Sequence, residues 1–451
     1  MKEVDLLVIG AGSGLDVAAA AAESGLRVAI VEKGPLGGTC LNRGCIPSKM
    51  LIYCADVART LDRSKEFGLV HKGYQVKWKS IIERVSKSVD EDAANILKSV
   101  KRASNISLLQ GEGKFVGERT IQVGKQKVRA KKVVIAAGAR PAIPPIPGLD
   151  KVSFMTSKEA LRLKKQPKSL TIIGGGYIGC ELAHFYGSLG TKVTIIQRND
   201  VLVPAEDPTM SEVLTMEYNK RFKVLTNHTA TAVEKNGSSI TVTAKDNNSG
   251  RKKRITSDAL LVATGVRPNA DRLDLDKTGV KLRDDGFIAV NDFLETSAKN
   301  VWAFGDIIGR YMFKHMANHE AQYVYGAIRG HRHKVDYSVA PHAVFSHPQI
   351  AAVGATESDS PDAAVGTYSF SHTGMGEAMR VRKEYVVKVL ADRSSRRIIG
   401  CHIIGPEAST LIHESILAMK LNATADDVVE TIHVHPALPE VVQRACANIK
   451  W

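Results

Sequence analysis

The feature that most constrains this chain is a glycine-rich loop that occurs twice, each time between a short apolar run and a stretch of helical character. In the first copy Val4 to Ile9 reads as a buried strand, Gly10-Ala11-Gly12-Ser13-Gly14 as a tight loop, and Asp16 to Ser24 as an alanine-rich helix. A second strand, Arg27 to Val31, ends in Glu32, 22 residues past Gly10. This is a βαβ dinucleotide fingerprint. Its glycines let the backbone approach a pyrophosphate, the helix N-terminus offers the positive end of its dipole, and Glu32 can accept from a ribose hydroxyl. Leu15 stands where the third glycine is usual, so close packing of helix on strand must be reached another way. The second copy runs from Leu170 to Ile173 through Gly174-Gly175-Gly176-Tyr177-Ile178-Gly179, a helix from Cys180 to Leu189 and a strand from Lys192 to Ile196. It keeps all three glycines, Gly174, Gly176 and Gly179. Where an acid would end it stand Gln197 and Arg198. Gln197 removes the repulsion an acid exerts on a 2′-phosphate, and Arg198 offers that phosphate a charge-assisted partner, so NADPH is expected over NADH.

Between the two copies lies Gly37-Gly38-Thr39-Cys40-Leu41-Asn42-Arg43-Gly44-Cys45-Ile46-Pro47-Ser48-Lys49. Five positions along an ideal helix rise about 7.5 Å, beyond the roughly 7 Å between Cα atoms that a disulfide spans. A bond between Cys40 and Cys45 therefore requires a distorted turn, which Gly44 can supply, with Pro47 at the start of a helical run from Ser48 to Leu61. A bond in so short a loop would be strained and labile, as redox catalysis needs. The other readings are half of a zinc site or two free thiols. A zinc site would want a second close pair, and Cys54, Cys180, Cys401 and Cys446 are scattered. Two dinucleotide sites with a dithiol between them imply electron transfer from one cofactor to another, the alternative being one cofactor and a decayed duplicate.

The 451 residues suffice for about three domains. Six cysteines are too few for a disulfide framework, so a reducing, cytoplasmic setting is expected. No apolar run reaches the roughly 18 residues of a membrane span, and the N-terminus reads as a strand. The net charge of +15 would suit nucleic acid or acidic surfaces, but the basic residues are dispersed. Only Arg251-Lys252-Lys253-Arg254 forms a block, in what reads as a hairpin turn, and a solvated surface without nucleic-acid binding is expected.

These residues together resemble the class I pyridine nucleotide-disulfide oxidoreductases, the flavoproteins that include dihydrolipoamide dehydrogenase, glutathione reductase, mycothione reductase and mercuric reductase. The resemblance spans essentially the whole chain. It rests also on Ala136-Ala137-Gly138-Ala139-Arg140-Pro141 and Ala263-Thr264-Gly265-Val266-Arg267-Pro268, on Val301-Trp302-Ala303-Phe304-Gly305-Asp306, and on His433-Val434-His435-Pro436-Ala437-Leu438-Pro439-Glu440. It implies an α/β fold of two Rossmann-like dinucleotide-binding domains and a C-terminal α+β dimerisation domain. The flavin domain would take residues 1–145, the NAD(P) domain 146–266, the return of the flavin domain 267–337, and the interface domain 338–451. The expected cofactors are FAD, held by Gly10, Gly12, Gly14, Glu32, Thr39, Lys49, Gly138 and Asp306, and NADPH or NADH, held by Gly174, Gly176, Tyr177, Gly179, Glu181, Gln197, Arg198 and Gly265.

The resemblance also assigns roles. Cys45 is the thiol against the flavin and Cys40 the interchange thiol that attacks substrate. His435, oriented by Glu440, would protonate the departing thiol, which suits an imidazole's reference pKa of roughly 6.5. In relatives that histidine comes from the other subunit, so the expected unit is a homodimer, with His433 a packing residue. Lys49 and Glu181 match an ion pair near flavin N5, the alternative being ordinary surface charges. Tyr177 matches a residue covering the nicotinamide pocket. Arg43 either favours a thiolate or is simply an exposed charge. The substrate expected is a small-thiol disulfide such as a mycothione- or glutathione-like one, because Asn318-His319-Glu320-Ala321 and Lys49-Met50 look most like mycothione reductase. The alternatives are dihydrolipoamide oxidised with NAD and, least, a flavoprotein without turnover.

Overall fold

The computed structural model describes all 451 residues, the side chain of Asn236 excepted. Strand β1, Lys2–Ile9, runs parallel both to β2, Val28–Glu32, and to the strand Gln126–Ile135. Leu6, Leu7 and Val8 are wholly buried, as are Val133, Val134 and Ile135 beside them, which is why these runs are continuously apolar: helices cover one face and a second layer the other. The sheet continues through Ile106–Gln110 beyond β2, and through Thr120–Val123 and Gly113–Gly117 beyond Gln126–Ile135. Val301–Ala303 joins it from far along the chain, pairing in parallel with Val133 to Ile135. The chain thus leaves this unit and comes back to it. The exit and the return are tied together where Ala139–Pro141 pairs antiparallel with Val266–Pro268.

The second copy of the fingerprint forms its own parallel sheet, in the order Lys223–Leu225, Lys192–Ile196, Ser169–Ile173, Ala259–Val262. An antiparallel meander of His228–Asn236, Ser239–Asp246 and Lys252–Ser257 lies against it. The basic block falls mostly on the last of these strands; the turn itself is closed by Asp246, whose carboxylate accepts from the N–H groups of Asn248 and Ser249. The C-terminal part is a five-stranded antiparallel sheet, Pro341–Val344, Gln349–Gly354, Ile398–Gly405, Val386–Ala391 and Ala364–Ser369, packed by helices Ala408–Lys420 and Glu440–Ala447.

Helix α1 spans Gly14–Glu23, α2 Gly38–Arg43, α3 Cys45–Asp62 and α4 Trp78–Arg102. Three starts differ from the sequence expectation. Helix α1 begins two residues early, α3 begins at Cys45 rather than Ser48, and the second fingerprint helix is Tyr177–Ser188. In α3 the early start is tolerated because Pro47 lies in the first turn, where a missing N–H is no loss.

Candidate active site

The first fingerprint loop is built by close backbone approaches. A Cβ on Gly10, at φ 102°, would fall 2.2 Å from the Ala136 carbonyl oxygen, and one on Gly38 would fall 2.6 Å from the Gly12 Cα. The loop and the start of α2 therefore face each other with no side chain between them. Gly14 supplies the packing that Leu15 cannot: a Cβ there would meet Val8 Cγ1 at 2.9 Å. In the second copy the third glycine itself does this, since a Cβ on Gly179 would lie 2.0 Å from the Gly174 oxygen. Helix Tyr177–Ser188 accordingly starts right after Gly176, while α1 waits until Gly14.

Glu32 and Gln197 occupy equivalent stations. Gly10 N–H donates to Val31 O and Gly174 N–H to Ile196 O, both at 2.9 Å, which aligns the residue following each strand core. The Glu32 carboxylate accepts from Ala11 N–H at 2.8 Å and Gly34 N–H at 2.7 Å. It lines a cavity of about 410 Å³ with Gly34, Leu36, Ala93, Leu108 and Gln110. Gln197 is buried; its Oε1 accepts from Gly175 N–H at 3.3 Å and its Nε2 donates to Val201 O at 3.2 Å. Arg198 is exposed, and its carbonyl accepts from Asn247 Nδ2 at 2.9 Å.

The dithiol sits where two helices break. Gly44, at φ −142° and ψ −118°, separates α2 from α3. A Cβ there would be 2.9 Å from Thr39 O and 3.4 Å from Cys40 Cα, so glycine is what lets the two helices step this close. Cys40 and Cys45 are free thiols, Cys40 half-buried and Cys45 exposed along one edge. The neighbouring Cys45 pulls Cys40 down to about 7 against the cost of burial, helped by the charges of Lys314 and Lys49. Cys40 in turn, with burial, pushes Cys45 well up. The two thiols are coupled, so ionisation of one opposes ionisation of the other. Thr39 lies exposed in the first turn of α2.

One turn into α3, Lys49 Nζ donates to both Glu181 carboxylate oxygens, at 2.9 and 2.8 Å, and lies 4.5 Å from the Phe345 ring centroid. Tyr177 opens the second fingerprint helix, and its phenol donates to the wholly buried Glu206 carboxylate. His342 Nε2 contacts both oxygens of Glu206 at 3.0 Å, and its ring stacks with Tyr177 at 6.1 Å and Phe313 at 5.6 Å. Burial first, then the Glu206 charge, raises the Tyr177 phenol well above its usual range, so it stays a donor.

Gly138 and Gly265, at φ 64° and 98°, make the left-handed turns that lead into the paired strands at the exit and return. Asp306 follows at the end of Val301–Ala303. Burial raises its carboxyl above the usual value. Glu320, wholly buried, pins this turn by accepting from Gly305 N–H and the Tyr337 hydroxyl, both at 2.7 Å. At the C-terminus His435 Nδ1 meets Glu440 Oε1 at 2.9 Å, and Glu440 Oε2 accepts from Ala437 N–H at 3.0 Å. The Glu440 carboxyl is held below its usual value, first by His435. The His435 ring is 76% exposed and stands on the chain's own surface. His433 is instead packed, its ring against Glu414 at 2.7 Å.

Asp56, His184 and His347 bring three potential metal ligands within 4.8 Å of one another. The hydrogen bonding fixes another use. Arg221 Nη2 lies 3.2 Å from His184 Nδ1 and can only donate, so Nδ1 accepts and Nε2–H donates to Asp56 at 2.8 Å. Sequence reasoning missed Lys314, Glu206, His342 and Phe345, which come from a helix start, a loop and the first strand of the C-terminal sheet with the residue just after it, distant from one another in sequence. Lys314 donates to Ser13 Oγ and Asn318 Oδ1 at 2.8 and 2.6 Å; its one visible signal is a cation opening the helix Lys314–Ile328, against the helix dipole.

Residues 4–321 match the model of the pyridine nucleotide-disulphide oxidoreductase family and residues 340–446 that of its dimerisation domain. The chain is 34% identical to mycothione reductase of Mycobacterium tuberculosis, covering all of both chains. It is 36% identical to dihydrolipoyl dehydrogenase of Geobacillus stearothermophilus, over 98% of this chain and 95% of that one. The HOCl-induced flavoprotein disulfide reductase RclA from Escherichia coli, solved as a Cu(II) complex, superposes over all of both chains with a TM-score of 0.89 at 25% identity. The residues fit the family's flavin: a cavity beside Glu32, a loop where no side chain intrudes, and a half-buried Asp306 carboxylate to which no other residue donates. The chain belongs to the pyridine nucleotide-disulphide oxidoreductase family, whose members are FAD-dependent oxidoreductases that use NAD(P)H.

Proposed function

We propose that the protein is an NADPH-dependent reductase of a small-thiol disulfide, acting as a homodimer. The observation that carries the nicotinamide preference is Gln197, an uncharged amide at the station where the first fingerprint has Glu32, with Arg198 exposed beside it. The relative named mycothione reductase, aligned end to end, supports the substrate class. Bound FAD supplies the two-electron link between the nicotinamide and the dithiol.

The chain's own residues then do the sulfur chemistry. Reduced Cys40, as thiolate, attacks one sulfur of the substrate; a Cys40–substrate bond forms, the substrate S–S bond breaks, and the leaving thiolate takes a proton from His435 of the other subunit. Cys45 next attacks Cys40 and releases the second thiol, restoring the Cys40–Cys45 disulfide. Glu440 holds the His435 ring with Nε2 free, and the exposed ring supports its delivery to a partner's site. Lys49 and Glu181 fix α3 against the second fingerprint helix, and Tyr177 covers the nicotinamide side.

The second reading, oxidation of dihydrolipoamide with NAD, is favoured by the dihydrolipoyl dehydrogenase relatives at 33% and 36% identity. A panel of low-molecular-weight disulfides and dihydrolipoamide, assayed with both nicotinamides, decides between them. NADPH-preferring disulfide reduction is expected. Lipoamide turnover with NAD and no disulfide reduced would replace the proposal by the second reading.

A further inference from the structure

Arg43 lies between the two redox cysteines, yet the structure turns it away from them. It is the last residue of α2, four positions after Thr39, so the two side chains leave the same helix face. Both terminal guanidinium nitrogens lie 3.9 Å from the point a Cβ on Gly34 would occupy, and Glu32 Oε1 lies 3.5 Å from that point. Guanidinium and carboxylate thus flank Gly34, at the rim of the cavity that Glu32 and Gly34 line. The cations acting on Cys40 are Lys314 and Lys49.

We propose that Arg43 is an FAD-binding residue that donates to the anionic diphosphate of the cofactor. A dinucleotide with its ribose at Glu32 and its diphosphate at the glycine loop must carry its negative charge past this rim. Neighbouring cations are otherwise engaged: Lys314 donates to Ser13 and Asn318, and Lys33 pairs with Glu112 at 3.5 Å. The Arg43 guanidinium, by contrast, has no ion-pair partner among the described residues. Its planar fork suits phosphate oxygens, and its permanent charge needs no tuning. Such a contact would tie α2, which carries Cys40, to the middle of the cofactor whose flavin end the dithiol serves. The proposal rests on the family's FAD and not on the choice of substrate.

The test is flavin release from purified holoenzyme, followed by the gain in flavin fluorescence at graded potassium bromide. Arg43→Met is expected to release FAD about tenfold faster or more, the loss of one charge-assisted contact, and Arg43→Lys is expected to fall between. The charge-transfer absorbance of the two-electron-reduced enzyme should titrate at the same pH in all three. If Arg43→Met is purified flavin-poor, saturating FAD should restore the yellow holoenzyme. Equal release rates in the three proteins would overturn the proposal. So would unchanged release with a displaced thiol titration, which would return Arg43 to the cysteines, or a flavin-poor variant that FAD does not restore.

Discussion

Lys49 and Glu181 join three parts of the chain at one point: Lys49 Nζ bonds both carboxylate oxygens, and one of them also accepts Phe345 N–H at 3.0 Å. The redox helix α3, the second fingerprint helix and the entry to the C-terminal sheet are thereby fixed to one another. Glu181 is only 7% exposed, so removing its cation leaves a carboxylate without charge compensation. Lys49→Met is expected to destabilise by about 1–3 kcal/mol, less than for a fully buried pair because the lysine is a third exposed. Glu181→Gln keeps an acceptor for Phe345 and should lose less. Thermal melting of the two variants checks the order; a lower melting point for Glu181→Gln would refute it.

Glu440 holds His435 through Nδ1, so its removal should act on the step that needs a proton and on no other. Glu440→Gln is expected to lower turnover by about 10²-fold or more, the scale of losing an oriented acid–base group. Anaerobic reduction of the enzyme by NADPH should keep its wild-type rate. Stopped-flow measurement of the two half-reactions separates the cases, and equal slowing of both would count against the assignment.

Gln197→Glu places a carboxylate where Glu32 already shows one is sterically accepted beside a fingerprint N–H. The ratio of kcat/KM for NADPH over NADH is expected to fall at least about tenfold, the scale of a charge facing a 2′-phosphate rather than two hydroxyls. Arg198→Ala should raise KM for NADPH far more than for NADH. Steady-state kinetics with both nucleotides provides the measurement, and equal changes for the two would remove both residues from the preference.

Most of the site's skeleton was legible because its chemistry is local in sequence. Glycine spacing and the strand before define both dinucleotide loops within some 25 residues, with the acid after present only in the first, and Gly44 just before Cys45 signalled the turn that such close cysteines would need. The Leu15 substitution was also visible, though its remedy at Gly14 depends on Val8 and Ala136 packing on one side of a helix. Glu206 with Tyr177 and His342, or Lys314 with Ser13, are contacts across 29 to 301 positions. No periodicity carries such information, because it exists only once the two sheets and the return strand at Val301 are in place. Arg43 was ambiguous for a related reason: its neighbours in sequence are the thiols, and its neighbours in space are Glu32 and Gly34.

Cys40, held down to about 7 by Cys45 first and by Lys314 and Lys49 after burial is overcome, should become nucleophilic as pH rises through that value. Lys314→Met removes one of the cations and should move the midpoint of thiol alkylation in the NADPH-reduced enzyme to higher pH. Iodoacetamide rates from pH 6 to 9 measure it. A midpoint shared with wild type would show that Lys314 serves only Ser13 and Asn318.

His184 and His347 make the fold sensitive to acid. His184 is wholly buried and lies well below its usual value, from burial and then from Arg221 and Arg59. His347 is pushed down to about 3 by burial, His184 and the same two arginines, with Asp56 opposing. Both rings are neutral in the folded protein, whereas in the unfolded chain they protonate near 6.5. Between those limits the unfolded state binds more protons, so stability falls as pH drops below about 6.5, by at most about 1.4 kcal/mol per pH unit for each fully buried ring. His347 is partly exposed and contributes less. Asp56 offsets some of the loss, because burial raises its carboxyl and lets the folded state take up a proton there. His184→Gln can still donate to Asp56 but cannot ionise. It is expected to melt lower than wild type at pH 7 yet to lose less on going to pH 5. Melting temperatures of the two holoenzymes at both pH values measure the difference, and an equal loss would mean that the acid sensitivity arises elsewhere in the chain.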